Sequence, residues 1–232
     1  MNQPSLIHFA ELSQKVIGIT GNAGAGKTTF AHYISHYYNN QIPVYSIDFR
    51  FIGDSNYRSN LLKSKQNNSI QQYIDACNQF NWWDWEAIYK DITCLLEGKE
   101  VVIEKAYDRL TGKIENEIIL KPWKKIIIEG ALLGPMMILN LIDSILFIKR
   151  DVEERFNALI DKDKYRRTFK ESISRFLITE YSEETYYQNY LSIANINNFA
   201  TYYKGTLEYK DINKEFNKFD KELNHNFIPL SI

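Results

Sequence analysis

Short runs of consecutive apolar and β-branched residues alternate along this chain with longer segments of helical period. Val16-Ile17-Gly18-Ile19-Thr20 and Val44-Tyr45-Ser46-Ile47 are apolar without alternation, the pattern of parallel strands buried on both faces. Residues 27 to 38 between them are long enough for a crossover helix, so residues 16 to 48 read as one βαβ unit. A polar stretch, 54 to 69, carries no predicted element. Helices are predicted over 70 to 80 and 84 to 96, the second with Asp84 as N-cap and Gly98 just past its end. Residues 100 to 107 and 113 to 120 flank the turn-like Leu110-Thr111-Gly112, which predicts a β-hairpin set apart from the parallel core, spanning about 99–121 with its flanks. Lys125-Ile126-Ile127-Ile128-Glu129-Gly130 and Ile145-Leu146-Phe147-Ile148 give two more buried strands. Helices follow at roughly 152 to 163 and 168 to 194, then a last strand at 199 to 204. Ile212, Phe216, Phe219 and Leu223 predict a packing helix at about 211–224. The sum is one α/β domain over 1–232, a doubly wound, mainly parallel sheet with an inserted hairpin.

Composition narrows the class. The chain has 232 residues, 44% hydrophobic and 25% charged, enough for one sizeable core. Lys and Arg number 28 against 29 Asp and Glu, so no nucleic-acid partner is expected from charge. Cys77 and Cys94 sit in no metal-ligand or redox spacing, which fits a reducing compartment. The first residues lack the pattern of a signal peptide and no window reaches about 18 apolar residues, so a cytoplasmic protein without a membrane partner is expected. The hairpin and the aromatic tail offer surfaces for a homo-oligomer.

Chemistry enters at Gly21-Asn22-Ala23-Gly24-Ala25-Gly26-Lys27-Thr28, a complete G-x-x-x-x-G-K-[ST] followed by Thr29. Glycines let backbone N–H groups face phosphate oxygens, Lys27 reaches the β and γ phosphates, and the Thr28 hydroxyl suits Mg²⁺. The helix beginning near Lys27 adds its positive end. Such a loop specifies a nucleotide, not a reaction. A switch GTPase would carry D-x-x-G where the third core strand ends Ile128-Glu129-Gly130. A small-molecule kinase needs a carboxylate beside the γ-phosphate and a basic lid. Asp48 ends the second strand at the right edge to be that base, or is a turn aspartate. Glu129 is placed to orient a Mg²⁺-bound water, or is a surface carboxylate. Lys162, Lys164, Arg166 and Arg167 crowd a lid at about 155–170, or form a solvated face. In the lid reading Arg166 is catalytic and Arg167 meets the nucleotide. His32 and His36 stand at i, i+4 without a third ligand and read as helix surface. Phe80, Trp82, Trp83 and Trp85 are core packing or a pocket wall.

The order GNAGAGKTT (21 to 29), SIDFRF (46 to 51), WDWEAIYKDITCLLEGKEVVIEKAYDRLTGKI (83 to 114) and IIIEGALL (126 to 133) resembles the uridine kinase and phosphoribulokinase-like family, over roughly residues 15 to 175. The most telling stretch is Glu97-Gly98-Lys99 followed by a strand into Tyr107-Asp108. The resemblance implies a P-loop NTPase fold that transfers the γ-phosphoryl of ATP, with Mg²⁺, to a hydroxyl of a small metabolite. It implies Asp48 as base, Thr28 and Glu129 as the Mg²⁺ site, Tyr107 facing substrate, and Asp84 near the substrate-hydroxyl binder. The family's base-contacting histidine is missing from Arg109-Leu110-Thr111-Gly112, and Arg50 stands where a neutral side chain is usual. A pyrimidine nucleoside is therefore not the expected acceptor. Arg50 and Arg109, facing the pocket, would favour an acceptor that carries an anionic group. The competing reading is a nucleotide-binding regulator without transfer activity.

Overall fold

The computed structural model describes residues 15–66, 69–165, 167–191 and 198–204. The βαβ unit forms as expected, from β1 (Val16–Thr20), α1 (Lys27–Tyr37) and β2 (Val44–Ser46), with a 3-10 turn over Ile47–Arg50. Next come α2 (Ser55–Gln66), α3 (Ile70–Cys77), a 3-10 turn over Gln79–Trp82, and α4 (Trp85–Leu96). The hairpin is β3 (Val101–Tyr107) and β4 (Ile114–Leu120). The chain returns as β5 (Ile126–Glu129), a single turn α5 (Met136–Leu139) and β6 (Ser144–Arg150). Helices α6 (Val152–Asp163) and α7 (Phe169–Tyr186), a π turn over Tyr187–Leu191, and β7 (Asn198–Lys204) complete it. The packing helix expected at 211–224 lies outside the described residues.

Five strands pair in parallel in the order β2-β5-β1-β6-β7, while β3 and β4 pair antiparallel in a separate sheet. Continuous burial of β1 and β5 follows from cover on both faces. Ile17, Ile19, Ile127, Leu146 and Ile148 pack against Phe30, Ala31 and Ile34 of α1. Val16, Ile126, Ile128, Ile145 and Phe147 face Ile88, Ile92 and Leu95 of α4, with the buried edge of the hairpin, Ile103 and Ala106, in the same cluster. Gly21 leaves β1 at φ +138°, where a Cβ would stand 2.2 Å from the Ile148 carbonyl oxygen. The turn out of the central strand therefore requires glycine. No helix among the described residues is long and apolar enough to cross a membrane.

Two readings change. The polar stretch at 54 to 69 is largely the helix α2, started by Asp54, whose Oδ1 accepts the Tyr57 N–H at 2.7 Å. Its sequence, SNYRSNLLKSKQ, has too few apolar residues for a helical stripe to be visible. Arg50, expected to face the pocket, instead donates from Nε and Nη2 to the two Asp91 oxygens at 2.7 and 2.9 Å. Asp91 is buried on α4 and also accepts the Tyr45 hydroxyl at 2.8 Å. The 3-10 turn sends Arg50 to this carboxylate while Asp48, two residues earlier, lies in the cavity wall. Replacing Arg50 by Ala strands a buried carboxylate and should cost about 3 kcal/mol, a fall in Tm of roughly 6–12 °C. Acceptor KM should stay within about twofold, because the guanidinium is engaged elsewhere. Thermal melts alongside an acceptor titration check both.

Candidate active site

The parallel order brings four strand ends together: the loop after β1, Asp48 after β2, Glu129 ending β5 and Arg150 ending β6. Gly24, at φ +81°, would set a Cβ 2.6 Å from the Arg155 carbonyl oxygen, so glycine lets the loop press against α6. Arg150 donates to the Gly24 carbonyl at 3.0 Å. Gly26, at φ +98°, opens α1, and no side chain caps that helix. Ala23, Gly24, Gly26, Lys27, Thr28 and Thr29 line a cavity of about 1100 Å³. Gly21 and Asn22 stand behind it, their carbonyls accepting from Lys27 Nζ at 2.7 and 3.0 Å. Ala25 is buried, its N–H bonded to the Asn22 carbonyl at 3.1 Å. Burial pulls the Lys27 ammonium below its ordinary pKa, against the opposing charge of Glu183.

Across the cavity, Asp48 is 3% exposed and accepts from Trp83 Nε1 at 3.3 Å. The Arg109 guanidinium, reaching in from the hairpin turn, forms an ion pair with Asp48 and donates to Thr28 Oγ1 at 2.9 Å. Thr28 Oγ1 donates in turn to Glu129 Oε2 at 3.2 Å. Glu129 is fully buried, and its Oε1 has no hydrogen-bond partner among the described residues. A buried carboxylate oxygen without a donor, beside a threonine hydroxyl, is a fitting partial shell for a hard cation that completes its coordination with phosphate and water. Tyr107 shares a hydrogen bond with Ser55 Oγ at 3.0 Å and sets its ring edge on Phe51, 4.8 Å between centroids.

Other expected residues lie differently. Asp84 caps α4 from an exposed position, accepting the Ala87 N–H at 3.0 Å, and does not line the cavity. One of its carboxylate oxygens is thus engaged at the helix end. Arg166 lies outside the described residues. Arg167 pairs with Asp163 at 2.9 Å and, with Lys162, lines the cavity. Arg155, inside the expected lid span, is buried, donating to Glu180 and to the Arg150 carbonyl. The aromatic cluster divides between roles: Trp82 and Trp83 line the cavity, whereas Phe80 and Trp85 pack at a tilt and Phe80 stacks on Tyr186 and Tyr190. His32 and His36 are exposed on α1.

Sequence reasoning missed Arg58, Arg150, Arg175 and Glu183, all of which line the cavity. Arg150 was findable, because it ends a core strand at the same edge as Asp48 and Glu129. Glu183 was not, since it sits in the last turn of α7, more than 150 residues from the loop it touches. It is fully buried and accepts the Ala23 N–H at 2.8 Å, and its Oε1 has no hydrogen-bond partner among the described residues. Burial pushes its carboxyl up from 4.5 to about 7, against the pull of Lys27 and the Ala23 N–H. The folded chain thus holds a proton that the unfolded chain releases earlier. Stability should fall as pH rises from about 4.5 to about 7, by on the order of 3 kcal/mol from this group. Melting curves between pH 5 and 8 should show that decline in the wild type and a flatter profile in Glu183→Gln.

Known proteins resemble this chain over much of its length. A uridine kinase from Chlamydia pneumoniae is 32% identical over 152 residues, covering 64% of this chain and 63% of that protein. One from Borrelia turicatae is 28% identical over 170 residues, 71% of this chain and 76% of that protein. Among solved structures, a possible uridine kinase from Bacillus stearothermophilus aligns at TM-score 0.52 and 18% identity over 81% of this chain and 88% of its own. A D-glycerate 3-kinase from Cryptococcus neoformans aligns at TM-score 0.51 and 13% identity over 78% and 84%. These two likenesses show the shared fold. The sequence model of the Phosphoribulokinase / Uridine kinase family matches residues 16–192, more than half of the chain, and this protein belongs to that family.

Proposed function

We propose that this chain is an ATP-dependent kinase of the cytoplasm that moves the γ-phosphoryl group to a hydroxyl of a small metabolite other than a pyrimidine nucleoside. The observation that carries the reading is the meeting of Lys27, Thr28 and Asp48 around one cavity at one sheet edge, with Glu129 buried behind Thr28 and bonded to its hydroxyl. Phosphates of ATP would take the loop amides and draw Lys27 Nζ from the Gly21 and Asn22 carbonyls. Asp48 would accept the acceptor's hydroxyl proton as that oxygen bonds to the γ-phosphorus and the bond to the bridging oxygen breaks, releasing ADP. Thr28 and Glu129 would hold Mg²⁺, which supplies charge neutralisation between the β and γ phosphates. Lys162 and Arg167 would close over the phosphates, joined by Arg175 from α7.

One observation favours a second reading, a nucleotide-binding regulator: Arg109 occupies Asp48 and Thr28 together, a state in which the base is not free. A screen of ATP consumption against sugars, sugar phosphates, hydroxy acids, nucleosides and vitamin precursors separates the two. The kinase should yield an acceptor whose turnover is lost in Lys27→Ala, and Asp48→Asn should lower kcat by about 10²–10⁴ with ATP KM nearly unchanged. Tight ATP binding with no turnover across the panel would support the regulator.

A further inference from the structure

Arg58 is a buried cation for which no ion pair with a carboxylate forms among the described residues. It sits in α2 at 9% exposure, its guanidinium carbon 4.2 Å from the Phe51 ring centroid and 4.6 Å from that of Tyr107. Its Nη1 donates to the Gly53 carbonyl at 2.6 Å. Among the described residues no carboxylate forms an ion pair with it, although it lines the cavity that Asp48 also lines. Burying a guanidinium against rings is costly unless an anion completes its fork. Ser55 Oγ and the Tyr107 hydroxyl, bonded to each other and both in the cavity wall, add hydroxyl donors to the same corner. Arg109 lines the same cavity, and its present partners are Asp48 and Thr28.

We propose that Arg58 and Arg109 form an anion-recognition site on the acceptor side of the cavity, so that the acceptor carries a carboxylate or a phosphate besides the hydroxyl that reacts. The inference rests on the kinase reading and deepens it by naming a substrate class. Arg58 is the fixed half of the site, held by two rings and a backbone carbonyl. Arg109 is the movable half: its side chain is 35% exposed and its partners are the base and the Thr28 hydroxyl. An acceptor anion gives Arg109 an alternative partner and frees Asp48 to take the hydroxyl proton. A neutral acceptor offers no such exchange, leaving the base paired. Selectivity for charge and activation of the base are then one event, because the same guanidinium serves both.

The test uses the full chain with Mg·ATP and acceptor pairs that differ only in the anionic group: glycerol against glycerate, glycerol against glycerol 3-phosphate, and ribose against ribose 5-phosphate, with uridine and cytidine alongside. The anionic members should show at least about tenfold higher kcat/KM, and the carboxylate and phosphate arms tell which anion the site takes. Arg58→Gln should erase about ten- to hundredfold of that preference, through acceptor KM, with ATP KM within about twofold. Arg58→Lys keeps a cation over the rings without the fork and should fall between; if the Gln variant does not fold, the Lys variant decides. Equal turnover of neutral and anionic members, or a preference indifferent to Arg58, overturns the proposal while leaving the kinase reading intact. Absence of transfer to any acceptor overturns the kinase reading instead. In that case calorimetry with glycerate and inorganic phosphate, the phosphate loop saturated with Mg·AMPPNP, still decides: saturable binding weakened in Arg58→Lys sustains the anion site, and no binding ends it.

Discussion

A carboxylate taken out of water needs donors or opposite charge close by, and the carboxyl edge of this sheet buries two on adjacent strands. β2 pairs with β5 so that Ser46 lies beside Glu129, and the next turn delivers Asp48. Neither strand supplies a cation. One comes from the phosphate loop as Lys27 and one from the hairpin as Arg109, with the Thr28 hydroxyl linking the two acids through its contacts. The loop conformation, the docking of the hairpin and the polarity of the cavity all follow from keeping this cluster balanced. That balance also explains why Lys27 stays among backbone carbonyls and acids despite its burial.

Much of this was legible in the residues because the relevant signals are local. Continuous apolar runs marked the buried strands, and the phosphate loop carried its function in eight consecutive positions. Asp48 and Glu129 were readable because each directly follows or closes such a run. Asp54 to Ser69 was opaque for the opposite reason: α2 is stabilised by a cap and by tertiary contacts, not by an apolar stripe. Helix α7 ended earlier than its pattern suggested, its last residues passing into a π turn where Tyr186 and Tyr187 anchor on the carbonyls of Gly134 and Ala131.

The two arginines near Asp48 show where residue type stops being informative. Arg50 lies two residues from the base and Arg58 ten, so proximity in the chain favours the first. The 3-10 turn reverses this, sending Arg50 to Asp91 while the first turn of α2 brings Arg58 to the cavity. Direction along a helical turn, not composition, decides which guanidinium faces the cavity and which braces the core. The same applies to Glu183, whose approach to Ala23 depends on the packing of α7 rather than on any local sequence signal.

The hairpin strands hydrogen-bond as a ladder only to each other, apart from the five-stranded sheet, and meet the core through side chains such as Ile103 and Ala106. Changes of length or composition in their turn leave the register of the parallel strands untouched. The phosphate loop and the hairpin turn therefore belong to separately paired sheets, joined by the contacts of Arg109 with Asp48 and Thr28. Residues 108 to 113 can vary without touching the parallel ladder as long as position 109 keeps the guanidinium that pairs with Asp48.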